Sequence, residues 1–359
     1  GEEGMAAMRV PEGTTVVSIP FTAENRRSVL LSLEFRFGES VRDGFLFAPS
    51  FYATIPGRIP SGLIGLVSSR KGNAVTVFNK LTGKTVAVIP TGGSPGGMAL
   101  DAFRGRAYVA ITGEDAVEVI DLLDLRIIDR LHLAGGDAPV ELALTPYGRT
   151  LLSVNSGSNT VSILDPVSRV ERNRVRVGDG PRSLLLDRTG RKAYVFNALS
   201  NTISVLDVPR AAVTQTVSVE SGPEKGQLSR DGKQLYVLQR LSPYLGIIDT
   251  ASLSLAGRIY VGTGREALKV DSKTGWIYIA RNNTDEIDVY DPFSLLPMTF
   301  IRAGGETGYI TIDDEQNNLC VVLPESGRVR MIRLGGYDTS AEIDIAEGPN
   351  RVILMGERQ

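Results

Sequence analysis

A repeat of about 42 residues runs through most of this 359-residue chain and constrains its fold more than any other feature. The clearest copy, residues 188–207 (RTGRKAYVFNALSNTISVLD), has two short strands rich in β-branched and aromatic residues, joined by a polar turn. The central residue of its first strand recurs at steps of 42 residues, with one step of 44. The seven equivalent positions are Leu66, Tyr108, Leu152, Tyr194, Tyr236, Tyr278 and Cys320.

Two further registers keep the same period. A mostly polar residue at the end of the next strand recurs as Asn79, Asp121, Asp165, Asp207, Asp249, Asp291 and Arg333. A glycine-rich turn before a short apolar strand recurs at Pro95, Pro139, Pro181, Pro223, Arg265, Thr307 and Pro349. A period of about 40–45 residues that carries four short strands is typical of a β-propeller blade. The three registers therefore predict seven blades.

The ends of the array predict how the ring closes. The first copy contains strands matching the second, third and fourth of a blade, but no first strand. At the other end, Arg351–Met355 follows Pro349 as a first strand with no blade after it. We expect this strand to complete the N-terminal blade, which removes a free sheet edge. The predicted fold is all-β: a seven-bladed propeller over residues 61–359, preceded by a β extension over residues 1–60.

The repeat resembles a known family. The segments RKAYVFNALSNTISVLD and RDGKQLYVLQ, each preceded by a G-x-G-P or S-G-P turn, resemble the YVTN-type β-propeller repeats over residues 61–355. Copies five and six depart, because Arg265 and Thr307 replace the turn proline, and Arg281 and Leu323 replace the strand-end asparagine. The resemblance implies a propeller scaffold that serves many tasks, and a location in the periplasm or at the cell surface. The chain starts at Gly1, which leaves open whether a signal peptide or lipid anchor was removed.

The N-terminal extension is rich in phenylalanine. Strands are expected at Thr14–Ile19, Val29–Phe37 and Gly44–Tyr52, the last two forming a hairpin around a polar turn. This hairpin either caps the propeller or docks a partner or a second copy of the chain. The candidate docking residues are Phe35, Phe37, Phe45 and Phe47.

Composition excludes several function classes. The net charge of −2 argues against a nucleic-acid-binding surface, and no apolar run is long enough to cross a membrane. The lone His132 is expected on an outer strand facing solvent, which argues against histidine-rich metal sites and His-ligated haem. The polar residues 282–286 lack a regular Ca²⁺-loop pattern. We expect neither cofactor nor metal.

The loops between blades and between second and third strands should share one face of the ring, where propellers usually bind. The candidate ligand-binding residues there are Glu141, Asn155, Arg182, Asn197, Glu224, Lys225, Gln239, Arg265, Glu266, Arg281 and Arg351. They form either a self-compensating charge ring or a site for a protein or small polar ligand. The sequence favours a non-enzymatic extracytoplasmic binding or scaffold protein. The alternatives are a lactonase- or lyase-type propeller enzyme and a cofactor-free accessory that docks a redox protein.

Overall fold

The computed structural model describes residues 64–281 and 284–358, and, as backbone only, six short strands within residues 5–54. Arg265 is also described by its backbone alone. The chain divides into two units, Gly1–Ile59 and Pro60–Gln359. The second unit consists of seven antiparallel sheets of four strands each, as the repeat predicted.

We number the blades in chain order and give their strands from the inner to the outer edge. Blade 1 contains Pro349–Leu354, Ile64–Ser69, Ala74–Asn79 and Thr85–Pro90. Blade 2 contains Pro95–Asp101, Arg106–Ile111, Ala116–Asp121 and Arg126–His132. Blade 3 contains Pro139–Leu144, Leu151–Asn155, Thr160–Asp165 and Val170–Arg176. Blade 4 contains Pro181–Leu186, Lys192–Asn197, Thr202–Asp207 and Ala212–Ser218.

The remaining three blades follow the same order. Blade 5 contains Pro223–Leu228, Gln234–Gln239, Tyr244–Asp249 and Ser254–Tyr260. Blade 6 contains Arg265–Val270, Ile277–Arg281, Glu286–Tyr290 and Pro297–Arg302. Blade 7 contains Tyr309–Asp313, Asn318–Leu323, Arg328–Arg333 and Thr339–Asp344. Helix in the described residues is limited to two 3₁₀ turns, Thr112–Glu114 and Pro146–Gly148, and none of it could span a bilayer.

The ring closes as the sequence predicted. The C-terminal strand Pro349–Leu354 pairs antiparallel with Ile64–Ser69, so that Ile353 lies opposite Leu66. Each inner strand also contacts the inner strands of both neighbouring blades, in an unbroken cycle of seven. The inner strands therefore surround a central channel, and their two ends form its two mouths.

The core lies between the blades, which explains the first sequence register. The second strand of each blade packs against neighbours on both faces, and Tyr108, Tyr236 and Tyr278 are among the largest fully buried side chains. Cys320, at the equivalent position in blade 7, is fully buried with Val67 and Val352 of blade 1. Continuous burial on both faces accounts for the strands' near-continuous apolar sequence.

The second register holds the turns between third and outer strands. In six blades its side-chain oxygen accepts hydrogen bonds from backbone N–H groups two or three residues later, as Asp165 does from Val167 and Ser168. Asparagine and aspartate form such turns readily. The register is therefore a folding signal rather than a functional one.

A related device positions the turns between blades. In the second-to-third-strand loops, Asn73, Asp115, Asn159 and Asn201 have positive φ, a conformation that asparagine and aspartate tolerate. Their side chains accept hydrogen bonds from the backbone of the following interblade turn, such as Gly180 N–H to Asn159 at 2.9 Å. These bonds fix the turns from which the inner strands start.

The N-terminal unit contains three strand pairs. Met5–Val10 pairs with Gly13–Ser18, Ser32–Phe35 with Phe51–Thr54, and Val41–Arg42 with Leu46–Phe47. The prediction of a single return strand over Gly44–Tyr52 is wrong, because this segment contributes to two separate strands. Pro49, between them in sequence, lacks the N–H group that a continuous strand would use. The side chains of Phe35, Phe37, Phe45 and Phe47 lie outside the described residues.

Candidate functional site

A β-bulge recurs where the inner strands begin, at the channel mouth beside the interblade turns. In six blades the pairing register shifts directly after the turn residue, as it does in blade 5 between Pro223 and Lys225. Blade 7 pairs without this shift from Tyr309 onward. Bulges of this kind re-aim side chains and are frequent beside functional sites. Here they place the second residue after the turn at the mouth, and in blade 7 Tyr309 occupies the same position without a bulge.

Four of these residues, from blades 1, 3, 5 and 7, meet there. The Arg351 guanidinium bonds to the Glu141 carboxylate, with 3.4 Å between Nε and Oε2. Arg351 also lies over the Tyr309 ring, 5.1 Å from its centroid, and the Lys225 ammonium lies 4.6 Å from the same centroid. Both distances are within the range of cation–π attraction. We call Arg70, Glu141, Arg182, Lys225, Tyr309 and Arg351 the rim cluster.

Blade 2 makes room for the cluster by having no side chain there. A Cβ atom on Gly97 would lie 2.7 Å from the Cα and 2.2 Å from the Oε1 of Glu141. Because Gly97 leaves this space empty, Glu141 of blade 3 reaches across blade 2 to Arg351 of blade 1. The glycine is therefore required by a close approach and not by its φ angle.

The electrostatics of the rim cluster favour negative charge. Desolvation, followed by the Arg351 charge, lowers the pKa of Lys225 to about 7, although Glu141, Glu224 and Glu266 oppose the shift. Water reaches part of the Lys225 side chain, yet the surrounding ring of protein desolvates its ammonium. Desolvation, then Arg351 and Arg182, similarly lower the pKa of Arg70. Cations that disfavour one another's charge indicate a positive local potential.

Three of the cations are left without a carboxylate partner. Among the described residues, no Asp or Glu oxygen lies within 4.0 Å of the charged groups of Arg70, Arg182 or Lys225. Glu224 is 3.7 Å from Arg240. Among the described residues, the rim cluster therefore contains three cations without a direct ion-pair partner.

Several predicted site residues lie elsewhere. Asn155 and Asn197 are fully buried and bond to serines and threonines of their own blades. Gln239 is buried in blade 5, and Arg281 forms a two-pronged pair with Asp288 in blade 6. The structure thus brings together Glu141, Arg182, Lys225 and Arg351. Glu224 and Glu266 act on Lys225 through charge. The Arg265 side chain lies outside the described residues.

Sequence reasoning missed three parts of the cluster. Tyr309 follows an interblade turn but was not predicted to bind, because an aromatic residue in a strand is an ordinary core residue. Arg70 follows a second strand in the blade with the least regular sequence. Gly97 resembles any turn glycine; only its alignment with Glu141, Lys225 and Arg351 marks it as different.

Other reactive side chains lie apart from the rim. His132 is exposed at the end of an outer strand, as predicted. Burial raises the pKa of the Cys320 thiol, which disfavours the reactive thiolate form. Within the described residues, no three His, Cys, Asp or Glu side chains are arranged to hold a metal. Within residues 282–286, the segment compared with the Ca²⁺-loop pattern, Asn282 and Asn283 lie outside the described residues.

Residues 356–358, which we call the C-terminal clasp, bond to the ends of the inner strands at the opposite channel mouth. The Glu357 carboxylate bonds to Lys269 of blade 6 at 3.1 Å and accepts a hydrogen bond from Thr311 of blade 7. Arg358, only 4% exposed, bonds to the carboxylates of Asp271 (3.0 Å) and Asp314 (2.7 Å).

A second buried pair lies beside the clasp. Lys80 of blade 1 bonds to Asp313 of blade 7 at 2.7 Å, and both side chains are fully buried. The Lys80 ammonium also donates to the Met355 carbonyl at 2.6 Å. The clasp and this pair together join blades 1, 6 and 7.

The closed ring of four-stranded blades defines the chain as a seven-bladed β-propeller. Residues 138–317, half of the chain, match the YNCE-like beta-propeller family, and the chain belongs to that family. This family is close to the YVTN-type repeats that the sequence resembles. No curated protein shows significant sequence similarity to the chain.

Solved structures share the fold at low sequence identity. Hydrazine synthase from Kuenenia stuttgartiensis has a TM-score of 0.67 at 18% identity, over 78% of this chain and 94% of that chain. The dihydro-heme d1 dehydrogenase NirN in complex with DHE has a TM-score of 0.64 at 13% identity, over 82% and 76%. A functionally unknown protein from Desulfotomaculum acetoxidans has a TM-score of 0.69 at 11% identity, over 81% and 98%. These similarities are in fold alone.

Proposed function

We propose that the protein is a non-enzymatic binding protein that holds a small anionic ligand at the rim cluster. The observation that carries this proposal is that three cations of the rim cluster, Arg70, Arg182 and Lys225, have no ion-pair partner among the described residues, and that Lys225 lies over the Tyr309 ring. A carboxylate or phosphate group would accept hydrogen bonds from these side chains. The exposed part of the Tyr309 ring would contact an apolar portion of the same ligand.

The proposal agrees with the position of the cluster. Partly water-accessible cations at a channel mouth raise the local concentration of anions. One structural neighbour, NirN, was solved in complex with DHE. That complex supports the proposal only by showing that a protein of similar fold holds a small molecule.

The experiment is calorimetric titration of the full chain with citrate and, separately, inorganic phosphate. We expect citrate to bind and Lys225→Met to weaken binding at least about tenfold, which corresponds to loss of one charge-assisted contact. Lys233→Met is the matched control, because Lys233 lies in the same blade, in the turn at the opposite end of the inner strand, and its ion-pair partner there is Asp231. Equal citrate affinity in both variants, or no binding of either anion to the wild type, contradicts the proposal.

A second candidate is lyase-type chemistry, favoured by the same lysine. An amine whose pKa is about 7 is partly neutral at neutral pH and is then nucleophilic toward a carbonyl carbon. Borohydride treatment in the presence of pyruvate would trap such an adduct on Lys225 as a mass increase. We expect no such increase; its appearance, and its absence in Lys225→Met, would favour the enzyme.

The proposal also covers the cellular location of the protein and the role of its N-terminal unit. Family resemblance supports a site of action outside the cytoplasm, and the Phe-rich unit would then cap the propeller or dock a partner. Pull-down from the host's extracytoplasmic fraction with the full chain and with a chain lacking residues 1–58 separates these roles. Loss of a partner from a folded shortened chain favours docking, whereas loss of the fold favours a cap.

A further inference from the structure

A second candidate site lies away from the rim, in a cavity of about 230 Å³ between blades 4 and 5. Blade 4 contributes the end of its outer strand and the turn that follows, and blade 5 contributes its three outer strands. The lining residues are Ser218, Val219, Glu220, Val237, Gln239, Gly246, Ile248, Leu255 and Arg258. Most of this lining is apolar, as in small-molecule sites generally.

The cavity exists because blade 5 lacks a side chain that every other blade has. Gly246 lies in the third strand, opposite Val237 of the second strand and Arg258 of the outer strand. The equivalent positions in the other blades are Thr76, Glu118, Ser162, Ser204, Asp288 and Arg330. A glycine inside a strand weakens it and often marks a place where something approaches closely.

The same substitution leaves a hydrogen-bond donor beside the cavity without the protein acceptor that it has in blades 3 and 4. In blades 3 and 4, Asn155 and Asn197 donate to Ser162 and Ser204, at 2.7 Å and 3.0 Å. In blade 5 the corresponding pair is Gln239 and Gly246, so the serine acceptor is missing.

Gln239 is only 4% exposed, and its Oε1 accepts from the Ser221 N–H group at 3.0 Å. Its Nε2 lies 3.4 Å from the position of a Cβ on Gly246, where the cavity begins. No acceptor among the described residues takes a hydrogen bond from this Nε2. This nitrogen is not fully enclosed by protein, so water in the cavity can accept its hydrogen bond in the free protein, and the carbonyl oxygen of a ligand would take the place of that water.

The opening of the cavity is charged but balanced. Arg258 bonds to Glu220 at 2.6 Å, and the Ser242 hydroxyl donates to the other Glu220 oxygen at 3.1 Å. Arg258 also lies over the Tyr244 ring, 5.2 Å from its centroid. Because the two charges neutralise each other, the opening selects neither cations nor anions. An uncharged ligand fits it best.

We propose that this cavity binds a small neutral molecule, about the size of a substituted benzene ring, whose carbonyl oxygen accepts a hydrogen bond from Gln239 Nε2. The apolar part of the ligand would contact Val219, Val237, Ile248 and Leu255. The size follows from comparison with apolar cavities of about 150 Å³, which hold benzene. The ligand proposed for this site is neutral, whereas the ligand proposed for the rim cluster is an anion, so each proposal can fail without the other.

The test uses the full chain with two probes of similar size, acetophenone and ethylbenzene, of which only the first has a hydrogen-bond acceptor. Binding is measured by ligand-observed NMR and by the shift in melting temperature. Acetophenone should bind the wild type several-fold more tightly than ethylbenzene, because its carbonyl oxygen accepts a hydrogen bond from Gln239 Nε2. Equal affinities, or no binding of acetophenone, overturn the proposal.

The decisive variant is Gly246→Ser, which recreates the pair found in blades 3 and 4. A Cβ there meets only ordinary contacts, at 3.4 Å and beyond, so the fold should persist and its melting temperature should rise. Acetophenone affinity should fall at least tenfold, because the new hydroxyl bonds to Gln239 and occupies the cavity. Undiminished binding in a folded Gly246→Ser protein overturns the proposal.

Gly257→Ser is the matched control. Gly257 lies in the outer strand of the same blade and pairs with Ile247, and a Cβ there would meet only the Ile247 Cδ1 atom, at 3.9 Å. It is the same change, also within a strand of blade 5, at a position that does not line the cavity. Acetophenone affinity should stay within twofold of wild type, and an equal loss in both serine variants would overturn the assignment to this cavity.

Discussion

The two mouths of the channel contain similar residues in opposite arrangements. At the clasp end, Lys80, Lys269 and Arg358 each bond to a carboxylate, and all three side chains are at least nine-tenths buried. At the rim, Arg70, Arg182 and Lys225 have no such partner among the described residues, and water reaches them. The two mouths therefore differ not in the number of their charged residues but in whether the cations are paired with carboxylates.

This difference separates structural from functional charge. A buried ion pair adds little to the free energy of unfolding, because desolvating both charges offsets their attraction. Removing one partner leaves an isolated buried charge, which is strongly destabilising. An unpaired cation near water costs less and remains able to attract a ligand. We therefore expect the clasp end to contribute to stability and the rim, as proposed, to ligand binding.

The largest effect is expected from Lys80→Met at the clasp end. It leaves Asp313 buried without a counter-charge, so the free energy of unfolding should fall by about 3–5 kcal/mol at pH 7. Burial already raises the pKa of Asp313, and loss of Lys80 raises it further. The protonated carboxyl is neutral, so the loss should shrink as the pH is lowered. Urea unfolding at pH 7 and pH 5 measures both.

Lys84→Met is the control for this prediction, since Lys84 is exposed in the same turn of blade 1. Its unfolding free energy should stay within about 0.5 kcal/mol of wild type. Equal losses in the two variants would show that the buried pair has no special role.

A smaller loss is expected from Gly97→Ala at the rim. The added Cβ meets the Glu141 backbone at 2.7 Å, and relieving this overlap should cost about 1–3 kcal/mol. Gly93→Ala is the control, because a Cβ there meets only one atom, at 3.6 Å. If thermal unfolding shows that neither alanine variant loses stability, the absence of a side chain at position 97 of blade 2 is not required by the fold.

The third prediction concerns Glu141→Gln, which frees Arg351 from its ion pair. The pair is partly exposed, so stability should fall by less than about 1 kcal/mol. Citrate affinity should rise several-fold, because the rim cluster loses a competing carboxylate. Glu315→Gln, which alters an exposed partner of Lys80 at the clasp end, should leave citrate affinity unchanged. Calorimetry on both variants measures the citrate affinity. If only Glu315→Gln changed it, citrate would bind at the clasp end and not at the rim.

The last prediction concerns the pH dependence that Lys225 confers. Its pKa is lowered to about 7 in the folded protein, whereas an unfolded lysine has a pKa of about 10.4. Between these values the unfolded chain binds more protons, so this group's contribution to stability rises with pH. Citrate affinity should change in the opposite direction and fall above pH 7. Both slopes should flatten in Lys225→Met, and a wild-type affinity independent of pH from 6 to 9 would contradict the assignment.

Most of the fold could be predicted from sequence because it is local and repeated. The asparagine and aspartate turns and the doubly buried second strands are specified within one blade, and seven copies make their period visible. Closure followed from the orphan strand at Arg351–Met355. In the N-terminal unit, which has no repeat to average over, the prediction of one strand over Gly44–Tyr52 failed.

The rim cluster was only partly predictable, because its members come from different blades. Alignment of the turns indicated Glu141, Lys225 and Arg351, but Asn155 and Asn197 occupy similar sequence positions and are buried within their blades. Which strand ends face the channel depends on the bulges, which one blade's sequence does not reveal. Gly246 could have been found by aligning the third strands, where it stands in place of Ser162 and Ser204.

The pairing of Ile64–Ser69 with Pro349–Leu354 also sets an order of events during synthesis. A ribosome releases the first partner almost 300 residues before the second. Until then, blade 1 of the nascent chain is three-stranded, and the edge that contains Leu66 has no strand paired with it. Such long-range pairing is slow, and unpaired edges favour aggregation. Synthesis of Pro349–Leu354 thus ends the period in which the growing chain most needs a chaperone.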